Sequence, residues 1–332
     1  MHRFFRISAT LILLVAFLSG IVQAMPIAQS APGDLDPTFA GFGAGGLAVL
    51  ANTHDDLDGM ALQRDGKIVV VSDNGPQTLV QQFLSNGLPD TTFAANGSAI
   101  VIFPGFDFRP SDVAVQANGA IVLAGTLATF PLGFVVARLT KAGALDSSFG
   151  NGGFVTTDFA PASEGAGAVL VQRDGKIVAA GFANIGGDDD FAVARYTATG
   201  ALDSNFSGDG KITFGFGGDD VARDIAQQDD GKLVLAGANS GFDSDFALAR
   251  LNINGTLDSS FDSDGKVSTG FGDLTEKADR VAIQPDGKIV ATGSGFTASS
   301  RLARYLSNGA LDTSFAGKAS SFSQMITILM IW

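Results

Sequence analysis

The 332 residues contain no cysteine, which removes disulfide scaffolds, thiolate catalysis and Cys-ligated metals. Histidine is nearly as scarce. Only His2 and His54 are present, so a Ser-His-Asp triad in a processed chain has a single histidine to draw on. Cations are outnumbered as well: 21 Lys and Arg face 34 Asp and Glu, a net charge of −13. That balance argues against a phosphate-backbone binder, which depends on clustered Lys and Arg. Glycine is abundant at 43 positions and phenylalanine at 27, in a chain that is 45% hydrophobic. Such a length buries a substantial core without help from disulfides or structural zinc.

The two ends differ from the rest. Arg3 and Arg6 precede an apolar run over residues 7–22, and Val22 and Ala24 place small residues at the −3 and −1 positions of a cleavage site. This predicts a secretory signal peptide over residues 1–24. The run is short for a span that needs ~20 apolar residues, and no membrane span is expected after cleavage. Loss of Arg3 and Arg6 takes the net charge to −15. Residues 25–32 read as a flexible leader, and residues 316–332, with Trp332 at their end, as an atypical tail.

Between the ends the chain repeats itself. Gly-x-Leu-Asp-x-x-Phe recurs at residues 33–39, 87–93, 143–149, 200–206, 255–261 and 309–315, with Pro89 replacing Leu in the second copy. Its aspartates, Asp36, Asp90, Asp146, Asp203, Asp258 and Asp312, are 54 to 57 residues apart. Gln-x-Asp-Gly-Lys-Ile-Val-x-x-Gly lies between them, starting at Gln63, Gln172, Gln228 and Gln284 and, in worn form, at Gln116. A third pattern, Phe-x-x-Ala-Arg, starts at Phe134, Phe191 and Phe246 and is weaker at 302–305.

Asp-Gly and Asn-Gly between apolar runs tolerate positive φ and mark tight hairpins. In the fourth unit strands are expected over 210–214, 224–228, 232–236 and 246–251. Four antiparallel strands at a period of about 55 predict an all-β chain, a β-propeller of about five four-stranded blades. First strands are expected near Gly45, Ser98, Gly153, Lys211 and Lys266. The alternative is a truncated or incomplete larger propeller.

The Gly-x-Leu-Asp-x-Ser-Phe-Gly block followed by Asn-Gly-Gly, best seen over 143–153, resembles the core of the delta-60 repeat family. The resemblance covers residues 33–315. It implies a propeller-like, exported bacterial protein of a family with no general assigned activity, and it adds no catalytic residue. Gln82 in place of Arg, the worn turn Asn118-Gly119-Ala120 and the tail depart from the family pattern.

Two constellations carry charge. In each of Arg138/Asp146, Arg195/Asp203, Arg250/Asp258 and Arg304/Asp312 the Asp follows the Arg by eight residues, while the first unit has Gln82/Asp90. A pair present in nearly every unit reads as scaffold, since function on repeats sits where units differ. Acidic loops place carboxylates at Asp188, Asp190, Asp209, Asp262 and Asp264. These are candidate calcium ligands, because calcium takes six to eight oxygens. No cofactor is required, and calcium is the one these loops admit. No stretch completes a full Asp-x-Asp-x-Asp-Gly calcium loop, and Asp-Gly also makes turns without metal. The only glutamates are Glu164 and Glu276. His54 reads as a solvated loop residue. Tyr196 and Tyr305 stand where other units have Leu and read as packing.

The sequence thus predicts an exported, non-enzymatic scaffold, secreted, periplasmic or on the cell surface, that binds an unknown protein or envelope component and no nucleic acid. The alternatives are a calcium-stabilised adhesion propeller and a propeller hydrolase or lyase that uses carboxylates.

Overall fold

The computed structural model describes residues 57–315 apart from 129–132, 160–162, 241–243, 273 and 296–299, together with Asp36 and Phe39. The expected signal peptide, leader and tail, His54 and the strand near Gly45 lie outside the described residues.

The described chain is all β. Blade 1 holds β1 (Gly59–Leu62), β2 (Ile68–Asp73), β3 (Thr78–Phe83) and β4 (Ser98–Val101). Blade 2 holds β5 (Phe108–Val115), β6 (Ile121–Leu127), β7 (Gly133–Leu139) and β8 (Phe154–Thr157). Blade 3 holds β9 (Glu164–Val171), β10 (Ile177–Ile185), β11 (Asp188–Tyr196) and β12 (Lys211–Phe214). Blade 4 holds β13 (Asp219–Gln227), β14 (Leu233–Ser240), β15 (Ser244–Leu251) and β16 (Lys266–Thr269). Blade 5 holds β17 (Lys277–Ile283), β18 (Ile289–Ser294) and β19 (Ser300–Tyr305), three strands among the described residues. Each sheet is an antiparallel meander in chain order, and no helix long and apolar enough to cross a membrane occurs among the described residues.

One expectation is corrected. The short strands at Ser98, Phe154, Lys211 and Lys266 do not open their units; each is the fourth strand of the sheet before it. The turn chemistry explains the phase. The Asp203 N–H donates to the Arg195 carbonyl and the Arg195 N–H to the Gly210 carbonyl, which folds the intervening loop back so that residues 211–214 lie beside β11.

The central strands are apolar on both sides because each faces two neighbours. Ile121 and Leu123 pack toward blade 1, whereas Val122 and Ala124 pack toward blade 3. In the same way Val178 and Ala180 face blade 4 while Ile177 and Ala179 face blade 2. The core is therefore a series of layers between blades, which is why these strands read as continuous apolar runs.

The strands β1, β5, β9, β13 and β17 surround a central channel. Four of them carry a bulge opposite the repeated glycine of the Val-x-x-Gly pattern: Ser111, Gly167, Arg223 and Asp279 are the extra residues. A Cβ at the glycine facing the bulge would lie 2.0 Å from the Arg109 carbonyl oxygen in blade 2 and 1.9 Å from that of Gly165 in blade 3. No side chain fits there, so the glycine is what permits the bulge, and the bulge turns its extra residue into the channel.

Candidate functional site

The Arg and Asp of the eight-residue spacing meet at the rim. Arg138 Nε donates to Asp146 Oδ2 at 2.8 Å, Arg195 to Asp203 at 2.9 Å, Arg250 to Asp258 at 2.6 Å and Arg304 to Asp312 at 2.9 Å. Each guanidinium also covers the Phe of its own motif, at 4.7 Å for Phe149, 4.6 Å for Phe206, 4.7 Å for Phe261 and 4.4 Å for Phe315. Three of them reach the next blade: Arg138, Arg195 and Arg250 donate through Nη1 to the carbonyls of Ala198, Ile253 and Ser307.

The Lys of the Gln-x-Asp-Gly-Lys pattern joins the cluster. Lys67 reaches Asp90 at 2.8 Å, Lys176 reaches Asp203 at 3.1 Å and Lys232 reaches Asp258 at 2.9 Å. The carboxylates respond. The hydrogen bond from Lys67 holds Asp90 down at about 2. At Asp203 and Asp258 burial pushes upward, but hydrogen bonds and the neighbouring cations outweigh it and both lie below the usual range. Hydrogen bonds from Ser148 and Ser314 lower Asp146 and Asp312.

The calcium candidates lie on two local turns and on β11. Asp209 Oδ1 and Asp264 Oδ1 accept the N–H groups of Lys211 and Lys266 two residues on, closing their own turns. Asp262 has φ +47°, in a turn whose N–H donates to the Asn308 carbonyl. Asp188 and Asp190 lie on β11, where burial and then the Asp188 charge raise Asp190. Among the described residues no group of three or more His, Asp or Glu side chains is placed to hold a metal ion.

Sequence reasoning missed two sets of acids. Glu164, Asp220 and Glu276 are buried and accept the N–H of Phe159, Phe216 and Phe271, pinning the loop between blades; a Phe followed by an acid four or five residues on is the signal. Asp112 and Asp224 sit beside the channel bulges of alternate blades. Asp112 accepts its own Val113 N–H at 2.8 Å and the Val169 N–H of blade 3 at 2.8 Å. Asp224 likewise takes Ile225 N–H at 2.9 Å and Val281 N–H of blade 5 at 2.7 Å. Burial pushes Asp112 up to about 6 and raises Asp224 too. Asp58, Arg223, Asp279 and Arg280 line the same channel mouth, a cavity of about 320 Å³.

A larger cavity, about 490 Å³, opens where β1, β5 and β9 turn into their second strands. Arg64, Lys67 and Gln82 from blade 1, Gln116 and Lys141 from blade 2, and Gln172 from blade 3 are among its lining residues. It coincides with the two departures from the repeat. Gln82 stands where the other blades have the fastening Arg, and Ala120 where they have the Lys.

Five antiparallel sheets around a channel, four of them carrying the same Arg–Asp rim pair, define a β-propeller built from repeats. The chain belongs to the family described as a beta-propeller domain of unknown function, DUF5122, which matches residues 63–93, 116–149, 172–206, 228–261 and 284–315, together half of the chain. No curated protein matches it. Solved structures with a similar fold include a protein of unknown function from Bacteroides caccae, 11% identical over 77% of this chain and 80% of that one, with a TM-score of 0.46. A gluconolactonase from Xanthomonas campestris is 12% identical over 75% and 72%, with a TM-score of 0.45. A protein from Lactobacillus plantarum is 15% identical over 79% and 71%, with a TM-score of 0.47.

Proposed function

We propose that the chain is an exported, non-enzymatic binding propeller of the delta-60 type, processed after Ala24, whose partner or ligand belongs to the cell envelope. The observation that carries this reading is the state of the channel carboxylates. Each oxygen of Asp112 and of Asp224 accepts a backbone N–H, two per side chain, so both carboxylates fasten their blade to a neighbouring one rather than stand free toward a substrate. A general base must reach the proton it abstracts. A second reading, a carboxylate-based hydrolase or lyase, draws on Asp58 and Asp279, which both line the channel mouth, and on Asp112 beside its bulge at about 6.

One experiment separates the two. The chain from Met25 is incubated with envelope extract of the source cell, and both the retained material and any chemical conversion are analysed. Retention of a component of unchanged mass is expected. Conversion of a component, abolished by Asp112→Asn in a variant that still unfolds cooperatively, would overturn the binding reading. Mass spectrometry of the exported protein tests the processing, with Met25 expected first and an intact Met1 or His2 refuting it.

A further inference from the structure

We propose that the 490 Å³ cavity spanning blades 1 to 3 is a binding site for a small, hydroxyl-bearing anion of the sugar-acid or sugar-phosphate class. The proposal rests on the reading of the chain as a binder and names the site and the ligand chemistry. The cavity exists because a repeated fastening is missing. In blades 2, 3 and 4 the rim Arg crosses to the next blade and donates to a carbonyl, at Ala198, Ile253 and Ser307. The corresponding residue of blade 2 is Lys141, and the residue of blade 1 that faces it is Gln82, which is too short to make the same crossing. One repeat later Ala120 replaces the Lys, so blade 2 contributes no second cation to its own Asp146.

What remains in the opening is unspent polar chemistry. Gln116 and Gln172 line the cavity, and the Oε1 atom of each is buried with no hydrogen-bond partner among the described residues, while Gln82 lines it from blade 1. A buried amide oxygen without a partner is costly, and a ligand that supplies one recovers that cost. Arg64 and Lys141 line the same cavity and make no ion pair among the described residues, whereas Lys67 is held by Asp90 and Arg173 by Asp229. Two unpaired cations in a chain of net charge −13 favour an anion. The carboxamides of Gln63, Gln82 and Gln116 both donate and accept, which suits hydroxyl groups. Among the described residues the lining holds no aromatic ring, so a neutral sugar finds no face there to stack on. The volume falls in the range of small-molecule sites, about 300–1,000 Å³.

Calorimetric titration of the mature chain with glucuronate, glucose 6-phosphate, inorganic phosphate and glucose tests this. At least one of the two sugar anions is expected to bind, about tenfold or more tighter than glucose and than inorganic phosphate. Its affinity falls as salt rises from about 50 to about 300 mM. Gln82→Arg, which restores the fastening and fills the opening, is expected to cut affinity about tenfold or more without lowering the unfolding temperature. The double variant Arg64→Ala/Lys141→Ala is expected to do the same. Absence of binding by either sugar anion at about 10 mM, equal binding of glucose, or binding that survives both variants overturns the proposal. Failure here leaves the binding reading standing if the envelope experiment retains an unchanged component. Turnover dependent on Asp112 overturns that reading even where the anion binds.

Discussion

Removing Asp203 measures what the rim cluster contributes. Arg195 beside it has a side chain only 3% exposed, with Nε on Asp203 and Nη1 on the Ile253 carbonyl. Asp203→Ala keeps the guanidinium buried and takes away its counter-charge. It also frees Lys176 and the Asn205 N–H, both held by the same carboxylate. Breaking a buried ion pair from one side costs about 3–5 kcal/mol. For a domain of this size that is a fall in unfolding temperature of about 6–20 °C, at about 2–4 °C per kcal/mol. Asp90→Ala is the internal control, since Gln82 leaves no buried guanidinium behind. What it loses is a Lys67 contact, with Lys67 31% exposed, and the Thr92 N–H and Oγ bonds. A partly exposed pair and a turn hydrogen bond together amount to about 1–2 kcal/mol. The assay is thermal and urea unfolding of both variants, with Arg195→Met/Asp203→Ala closing a double-mutant cycle. Equal losses at Asp203 and Asp90, or zero coupling in the cycle, would refute the account.

Acid should act in two stages. Asp112 and Asp224 are raised by burial, so the folded state binds more protons than the unfolded one and stability rises as pH falls from 7 toward 5. Asp90, Asp146, Asp203 and Asp258 are lowered, and the stability they contribute is present above about pH 4 and lost below it. A fall in unfolding temperature between pH 7 and 5 would contradict the first stage, and the slope there should shrink in Asp112→Asn. Gly181→Ala, whose Cβ would sit 1.9 Å from the Gly165 carbonyl, should destabilise by about 1–3 kcal/mol in urea unfolding; a neutral result would mean that the bulge is not fixed by that glycine. Chelator and added calcium should each leave the unfolding temperature unchanged, because Asp209 and Asp264 are engaged with their own turns. A rise with calcium would favour the calcium-stabilised alternative.

The blades were legible because their turns are written in residues with few other uses. Gly175 at φ +86°, with its N–H on the Gln172 carbonyl, is the Asp-Gly turn in space as in sequence. The phase of the blades was not legible: residues 211–214 lie nearer along the chain to β13 than to β11, and only the reversal through Asp203 assigns them to β11. Asp112 and Asp224 stayed hidden for another reason. They occur on alternate blades, so a search for what every unit shares averages them away. Gln82 and Ala120 were visible as departures from the pattern, but their meaning depends on where the side chain of Arg138 goes in the blades that keep it.

The rim fastening has a direction. Arg195 and Phe206 belong to blade 3, yet the carbonyl that satisfies the guanidinium and the glycine on which the ring rests, Ile253 and Gly255, both belong to blade 4. A chain emerging amino end first therefore presents blades 2, 3 and 4 unfinished, with a guanidinium and a ring waiting for a surface not yet synthesised. Each of these three is completed by its successor, so their assembly advances with the order of synthesis and a halt after any of them strands one cation and one phenyl ring in solvent.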